Sequence, residues 1–418
     1  MAAASALTME QVLDSLGSMV GSEHACVGEG ALIVTPGDVG QIAEVLRFAN
    51  ANGIAVMPTG GGTKLGWGNG VAAGIQLSMR RLAQLREHAW QDLTCTVEAG
   101  CTWSAMQAAL AQHGQMVALD PLWPERSTVG GNIATNDSGA LRLKFGSMRD
   151  LIIGMTVVLA DGTAAKSGGK VVKNVAGYDL HKLMTGSFGT LGVVAEVNFR
   201  LHPGEQFAQS WTVAGRDVAG GGARAFAEQL AALTDSQMTP SGVQLRASAK
   251  ECAVDVRIAG LQECIAEYEE RIRSIFGGFK TAVAEDTVWS ARQAVFDSGS
   301  ECVLKISVVP NEMCGVIFEL QEWAGGEGLD VHIVGQATGL ITVGLQAGRD
   351  ATMRLIERLR ARVHRFGGSV VAVQMPDDWR GSIDVWGPQS SALPLMREIK
   401  RRFDPQRILN PGRFVGNI

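Results

Sequence analysis

The most informative stretch of this chain is Pro58-Thr59-Gly60-Gly61-Gly62-Thr63-Lys64-Leu65-Gly66. It ends a predicted strand–helix–strand unit made of Ala31 to Val34, Val39 to Asn50 and Ile54 to Met57. No Asp or Glu occurs from Val45 to Arg86, and consecutive glycines let backbone N–H groups converge on an anion. The stretch matches neither GxxxxGK[ST] nor GxGxxG. It predicts a phosphate-holding loop in which Lys64 supplies an exposed charge, with a flexible surface loop as the alternative.

Two more glycine-rich segments follow this first loop. Ser127 to Gly139 supplies hydroxyl, amide and glycine N–H groups, and Asp137 is its only acid. Gly186 to Val194 runs into a further strand, and its glycines would let the backbone approach a flat ring. Each segment alone fits an ordinary turn region. Three of them in this order favour one large nucleotide ligand.

Composition limits the class of protein. The chain has 418 residues, of which 46% are apolar and 19% charged, so it is long enough for two or three globular domains. A net charge of −5 gives no general attraction for nucleic acid. The first basic residue is Arg47, so we expect no secretory or mitochondrial leader at the start of this sequence, and Leu151 to Ala160 is about half a membrane span. Seven cysteines without a CxxC motif predict reduced thiols, no metal site and a cytoplasmic location.

In order and spacing, the three segments resemble the FAD-binding domain of the vanillyl-alcohol oxidase superfamily, the PCMH-type fold. The resemblance runs from about Ala25 to Pro203 and returns at Phe403 to Phe414, which is similar to the superfamily's C-terminal DP…NPG signature. Within the superfamily, Gly60 to Gly68 and Gly169 to Leu183 are most similar to the FAD-binding subunits, of the E type, of bacterial glycolate oxidases.

The resemblance implies FAD as the cofactor. Relatives that tether the flavin covalently use a histidine or cysteine in or near these loops. Here the first loop carries Thr63-Lys64, and the nearest cysteine, Cys101, precedes a different helix, so we expect non-covalent binding. The implied cofactor-binding residues are Pro58, Thr59, Gly60, Gly61, Gly62, Thr63, Lys64, Leu65, Gly66, Thr128, Val129, Gly130, Gly131, Asn132, Ala134, Thr135, Asn136, Ser138, Gly139, Gly189, Gly192, Val193 and Asn410.

We predict an α+β protein with four parts. Residues 1–25 form an N-terminal helical segment, and residues 26–204 form the two-subdomain PCMH-type FAD-binding domain. In residues 205–375 strands and helices alternate in two similar halves, which is typical of a ferredoxin-like cap with an open antiparallel sheet. Residues 376–418 return to the FAD domain. Ser210 to Ser241, which includes Gly220-Gly221-Gly222, is either a connector or part of a partner surface.

The catalytic residues are not evident from the sequence. Oxidation of a 2-hydroxy acid needs a base for the hydroxyl proton and a cation for the carboxylate. No two of the seven histidines have the HxxxH spacing of metal ligands, and we expect His181 to be structural. Catalytic relatives that oxidise D-2-hydroxy acids carry a GHxGDGNxH strand in the cap. The corresponding stretch here, Val334 to Leu340, has no histidine.

The resemblance and this missing histidine strand favour a subunit of a glycolate-oxidising complex. Its expected partners are a small 2-hydroxy acid, a paralogous catalytic flavin subunit and an iron–sulfur subunit. No nucleic acid partner and no transmembrane segment are expected, and any contact with the inner membrane would be peripheral and through partners. The alternatives are a stand-alone FAD dehydrogenase of another small hydroxy acid or alcohol, and an interaction subunit without a redox role.

Overall fold

A computed structural model describes residues 7–171, 177–216, 222–249 and 251–418. The start of the N-terminal segment, the middle of the Gly169 to Leu183 motif, and Gly220 and Gly221 lie outside the described residues. The helices are α1 Met9–Val20, α2 Val39–Asn52, α3 Trp103–Ala111, α4 Val129–Thr135, α5 Arg142–Phe145, α6 Met148–Leu151, α7 Leu180–Met184, α8 Gly222–Thr234, α9 Ile265–Ile275, α10 Ala291–Asp297, α11 Met313–Glu327, α12 Arg349–His364 and α13 Leu393–Phe403.

The strands form four sheets. They are β1 Ala25–Val27, β2 Leu32–Val34, β3 Val56–Thr59, β4 Ile75–Ser78, β5 Leu85–Ala89, β6 Thr94–Glu98, β7 Gln115–Met116, β8 Ile152–Val158, β9 Ala164–Gly168, β10 Val193–Arg200, β11 His202–Pro203, β12 Ala208–Arg216, β13 Gly242–Ala247, β14 Glu251–Ala259, β15 Lys280–Ala284, β16 Cys302–Ser307, β17 Asp330–Gln336, β18 Leu340–Gln346 and β19 Ser369–Gln374. The chain is an α+β protein, as the sequence predicts.

The first sheet carries the first loop. Its order is β1-β2-β4-β3, and β3 and β2 both run parallel to β4. Helix α2 packs on it through Ile42, Val45 and Leu46, because its apolar residues recur at helical spacing; Asp38 caps its start, and Gly53 ends it in a left-handed conformation. This strand–helix–strand unit aims the end of β3 at the first loop.

The second sheet supports the other two segments. Its order is β5-β6-β10-β8-β9, with every pairing antiparallel. Helix α3 packs on this sheet, and Trp103 meets Phe199 edge-to-face. Short strands β7 and β11 pair beside it.

The cap is an open sheet of eight antiparallel strands, β15-β12-β14-β13-β17-β18-β16-β19. Helices α8, α9, α11 and α12 pack into the core on one face of this sheet. Helix α10 lies against β17 and β18. Phe296 of α10 packs in a separate cluster with Trp67, Trp123 and Val303, and this cluster joins the cap to the FAD-binding part. All eight strands fall inside the predicted cap.

The structure corrects the sequence reading at four elements. The stretch treated as a connector contains β12, whose Trp211 is fully buried, and helix α8. Strand β15 was not predicted. Finally, the glycine-rich segment after Ser127 is not a loop throughout, because Val129–Thr135 forms helix α4 with Thr128 as its N-cap. Helix α8 has buried apolar residues at helical spacing, Phe226, Leu230 and Leu233, whereas Lys280–Ala284 and Val129–Thr135 lack a clear apolar period and take their conformation from tertiary packing.

The C-terminal residues return to the first sheet. Leu409 forms a parallel bridge with Val56 of β3. The Val56 amide donates to the Ile408 carbonyl at 2.7 Å, and the Asn410 amide donates to the Val56 carbonyl at 2.9 Å. This bridge sets Asn410 beside the first loop.

Candidate functional site

A cleft opens where the first loop, helix α4 and the turn before β10 meet. It consists of two adjoining cavities of about 70 Å³ each. Both cavities are lined by Pro58, Thr59, Gly60, Thr128 and Gly131, among others. The structure thus brings residues 58–65, 128–135, 189–193 and 410 to one place.

The glycines of the first loop permit a close backbone approach. A Cβ on Gly61 would overlap the carbonyl oxygen of Arg126, and a Cβ on Gly60 would overlap the hydroxyl of Thr128. Within the described chain, the backbone N–H groups of Gly61, Gly62, Thr63 and Lys64 have no hydrogen-bond acceptor. Four consecutive free donors lining a cleft are suited to an anion such as a pyrophosphate.

Helix α4 lines the cleft, but its first backbone amides are not available to a ligand. The Val129 amide donates to Cys101 and the Gly130 amide to Ala99, at 2.9 and 2.8 Å. The Gly131 amide donates to the Thr128 hydroxyl at 3.3 Å. These N–H groups already have acceptors within the protein. The free backbone donors of the cleft are therefore those of the first loop.

The third segment is held in a strained conformation at the cleft. Phe188 has φ of +55°, which is rare for an aromatic residue, and its carbonyl accepts a 2.7 Å bond from the Asn410 side chain. Asn410 is itself at φ +41°, and its side-chain oxygen is buried without a partner. Such strain is characteristic of functional sites. The unpaired oxygen of Asn410 is free to bind a donor on a ligand.

A buried lysine fastens the third segment to the C-terminal residues. Lys400 of α13 donates to the carbonyls of Thr190 at 2.7 Å and Leu409 at 2.8 Å. It also forms a 2.6 Å ion pair with Asp404, whose carboxylate accepts the Ile408 and Leu409 amides. This group of contacts, the Lys400 clamp, positions both Gly189 and Asn410.

The structure corrects the expectation for Lys64. Its side chain is only 5% exposed, and Nζ lies 2.6 Å from the Asn132 side-chain oxygen and 3.2 Å from the Asp137 carboxylate. Burial lowers the pKa of Lys64, and the Asp137 charge opposes that effect. Asp137 also accepts a 2.8 Å bond from Arg292 of α10, and these neighbouring cations hold its pKa below the usual range despite burial. Lys64 is therefore part of a buried ionic cluster and not an exposed phosphate contact.

Replacing Lys64 with methionine is expected to lower the free energy of unfolding by about 1–3 kcal/mol, because a charged hydrogen-bond donor is lost while Arg292 still neutralises Asp137. Urea unfolding measures this loss. Lys166 is an exposed lysine on β9, and Lys166→Met is the matched control, with an expected change below about 0.5 kcal/mol. Equal effects of the two changes would contradict the buried cluster.

Six of the predicted cofactor-binding residues do not line the cleft: Gly66, Val129, Asn132, Asn136, Ser138 and Gly139. Val129 is buried in the core, and Asn132 is bonded to Lys64 and Ser127. Asn136 ends α4 at φ +47°. The Gly139 amide donates to Asp120.

A second, smaller cavity lies between the first loop and the cap sheet. It is lined by Trp67, Ser138, Arg292, Lys305, Gln336 and Thr342, among others. The side-chain oxygen of Gln336 is buried and has no donor. Sequence reasoning missed Arg292 and Lys305, since neither belongs to a motif. It also missed Arg413, a buried residue of the cleft that holds the Lys64 and Leu65 carbonyls; its place directly after the NPG signature was the available signal.

The cleft fits FAD. Free N–H donors in the first loop suit the pyrophosphate, and the unpaired Asn410 oxygen suits a donor on the flavin ring. A Cβ on Gly189 would lie 3.0 Å from the Asn410 amide nitrogen, so this turn also requires glycine. The fold and the cleft together define a PCMH-type FAD-binding flavoprotein.

Comparison with known proteins gives the family. A family model described as an FAD binding domain matches residues 30–168, and one described as the C-terminal domain of FAD linked oxidases matches residues 388–414. The chain belongs to the vanillyl-alcohol oxidase/PCMH superfamily and is an FAD-linked oxidoreductase.

Individual relatives and solved structures agree with this. Glycolate oxidase subunit GlcD of Bacillus subtilis is 25% identical, over 91% of this chain and 88% of the relative. D-2-hydroxyglutarate dehydrogenase of Xanthomonas citri pv. viticola is 38% identical, over 40% of this chain and 36% of the relative. The structure of p-cresol methylhydroxylase with bound substrate has the same fold, with a TM-score of 0.74 and 16% identity over 97% of this chain and 96% of that one.

Other features bear on the remaining expectations. In the described ranges no three His, Cys, Asp or Glu side chains come together as metal ligands. All seven cysteines are free. Among the helices described, none is long and apolar enough to cross a membrane. His181 is buried, and its ring contacts the Ser167 hydroxyl at 3.2 Å.

Proposed function

We propose that this chain is the FAD-binding subunit of a glycolate oxidase (glycolate dehydrogenase) complex. The complex oxidises glycolate or a related D-2-hydroxy acid to the 2-oxo acid and passes the electrons on through partner subunits. Relatives named glycolate oxidase subunit, D-lactate dehydrogenase and D-2-hydroxyglutarate dehydrogenase support a hydroxy acid as the substrate class.

The second cavity is the observation that carries this proposal. Arg292 and Lys305 bring two basic side chains to its lining. Arg292 is held by Asp137 and by the Asp120 carbonyl, so its guanidinium is fixed in place to meet a carboxylate. Gln336 offers a buried acceptor to a donor on a ligand, and an unpaired acceptor costs about 1–3 kcal/mol if no ligand satisfies it.

In this proposal FAD binds non-covalently in the cleft. The first loop holds the pyrophosphate, and Asn410 and the turn at Gly189 meet the ring system. FAD supplies a hydride acceptor. Trp67 borders the second cavity, and its ring centroid is 5.8 Å from Lys64 Nζ and 5.7 Å from Lys305 Nζ. The cation cluster around this tryptophan favours an anionic substrate next to the cofactor.

The partners follow from the chemistry of onward electron transfer. The seven cysteines are dispersed free thiols, so a one-electron path needs an iron–sulfur partner, and a paralogous flavin subunit is the second expected partner. Free thiols also support a reducing, cytoplasmic location, with any inner-membrane contact made through those partners.

The proposal is tested by purifying the chain under mild conditions and measuring FAD content, co-purifying subunits and dye reduction with glycolate and D-lactate. FAD released by acid or heat denaturation supports non-covalent binding. A chain that is isolated alone and reduces the dye with either acid overturns the complex in favour of a stand-alone dehydrogenase. A folded chain that takes up no FAD overturns both.

Replacing Arg292 with methionine is expected to raise the KM for the hydroxy acid about 10- to 100-fold, because a charged hydrogen bond to the carboxylate is lost. FAD content should stay near the wild-type value. Arg354 is an exposed arginine of the cap whose guanidinium pairs with Glu327 at the surface, and Arg354→Met is the matched control. An unchanged KM in Arg292→Met would remove this residue from the substrate site.

A further inference from the structure

The cap places a basic side chain, Lys305, in the second cavity, although the cap stretch Val334 to Leu340 has no histidine. Lys305 lies in the middle of β16, a strand whose Leu304 and Ile306 face the helix-covered core. Val303 and Lys305 face the opposite way, toward the FAD-binding part. The Lys305 side chain therefore lines the second cavity, beside Trp67.

Lys305 has no carboxylate of its own. In the part of the chain that is described, no ion pair or hydrogen bond involves its amine, and the nearby Asp137 is already bonded to Lys64 and Arg292. The amine lies over the face of the Trp67 ring, 5.7 Å from the ring centroid. An amine held in a cavity without a counter-ion is free to meet a ligand.

The charges around Lys305 favour its neutral form. Burial has the largest effect, and the like charges of Arg292, Arg142 and Lys64 add to it, whereas Asp137 opposes them. Together they lower the pKa of Lys305 to about 8. At neutral pH a useful fraction of the amine is unprotonated, as a general base requires.

We propose that Lys305 is the general base of the oxidation, the group that takes the proton from the substrate hydroxyl. This inference rests on the proposed function. The hydroxyl proton passes to the neutral amine, which becomes an ammonium ion; the C2–H bond breaks, its electron pair and hydrogen leave as hydride to the oxidised FAD, and the C2–O bond becomes the carbonyl of the 2-oxo acid. Arg292 holds the carboxylate throughout, so the two basic residues of the second cavity have separate roles.

The test compares Lys305→Arg and Lys305→Ala with the wild type, in the chain together with any subunits that co-purify. Anaerobic reduction of bound FAD by the hydroxy acid is followed from about pH 6 to 10. In the wild type the rate should rise with pH through about 8 and then level, because only the neutral amine accepts the proton. Equal FAD content in all three proteins shows that the cofactor site is intact.

Arginine keeps the charge but stays protonated, so Lys305→Arg is expected to lose about 10²- to 10⁴-fold in rate, with substrate affinity within about threefold of wild type. Lys305→Ala should regain at least tenfold when ethylamine is added, because a free amine can enter the vacated space. A Lys305→Arg rate within threefold of wild type, or no recovery with ethylamine, overturns Lys305 as base and leaves the hydroxy acid function standing. If no 2-hydroxy acid reduces the FAD of the wild type, the proposed function fails, and this inference with it.

Discussion

Replacing Gly61 with alanine is expected to abolish FAD retention. The added Cβ would overlap the backbone carbonyl oxygen of Arg126, and a backbone atom cannot rotate away as a flexible side chain can. The first loop must then move, and its four free N–H groups no longer converge on one anion. We expect at least a tenfold fall in bound FAD, measured by the flavin absorbance that remains after gel filtration.

A glycine shortly after the first loop provides the control. A Cβ on Gly70 meets nothing within 4 Å, so Gly70→Ala should retain FAD as the wild type does. Circular dichroism of both variants separates loss of the cofactor from loss of the fold. If Gly61→Ala stays yellow, the first loop is not the part of the chain that holds the cofactor.

The second large effect concerns the Lys400 clamp. Replacing Lys400 with methionine leaves the buried Asp404 carboxylate without its counter-ion and removes the donor from two buried carbonyls. Breaking one side of a buried ion pair costs about 3–5 kcal/mol, and we expect the free energy of unfolding in urea to fall by that amount. Because the clamp positions Gly189 and Asn410, FAD affinity should fall as well.

Arg401, the next residue on the same helix, is the matched control. It is exposed and pairs with Glu398 on the surface, so Arg401→Ala should change stability by less than about 1 kcal/mol. A small loss in Lys400→Met, comparable to that of Arg401→Ala, would mean that Asp404 is neutralised in another way.

Much of the architecture could be predicted from the sequence, because it depends on local patterns. The helix predicted from Val39 to Asn50 is observed as Val39–Asn52, since its apolar residues recur at helical spacing. The glycine segments were located correctly as the lining of one cleft, since strand ends and glycine clusters lie together in the sequence. Helix α4 was missed, because its Gly, Thr and Asn content is that of a turn.

The ionic part of the site could not be predicted in this way. Lys64, Asp137 and Arg292 are far apart in the chain, and only tertiary packing makes them a buried cluster. For the same reason the sequence indicated an exposed charge at Lys64. Lys305 looks like any lysine in a strand until the structure places its side chain in the second cavity.

The bridge between Val56 and Leu409 has a consequence for synthesis of the protein. Strand β3 and the first loop leave the ribosome early, but their partner, the strand-like segment that carries Asn410, emerges only after the whole cap has been made. The pocket wall contributed by Asn410 is thus absent while the nascent chain grows. Tight capture of the flavin must therefore be a late event, after translation of the C-terminal residues, and truncated products will leave the ribosome without it.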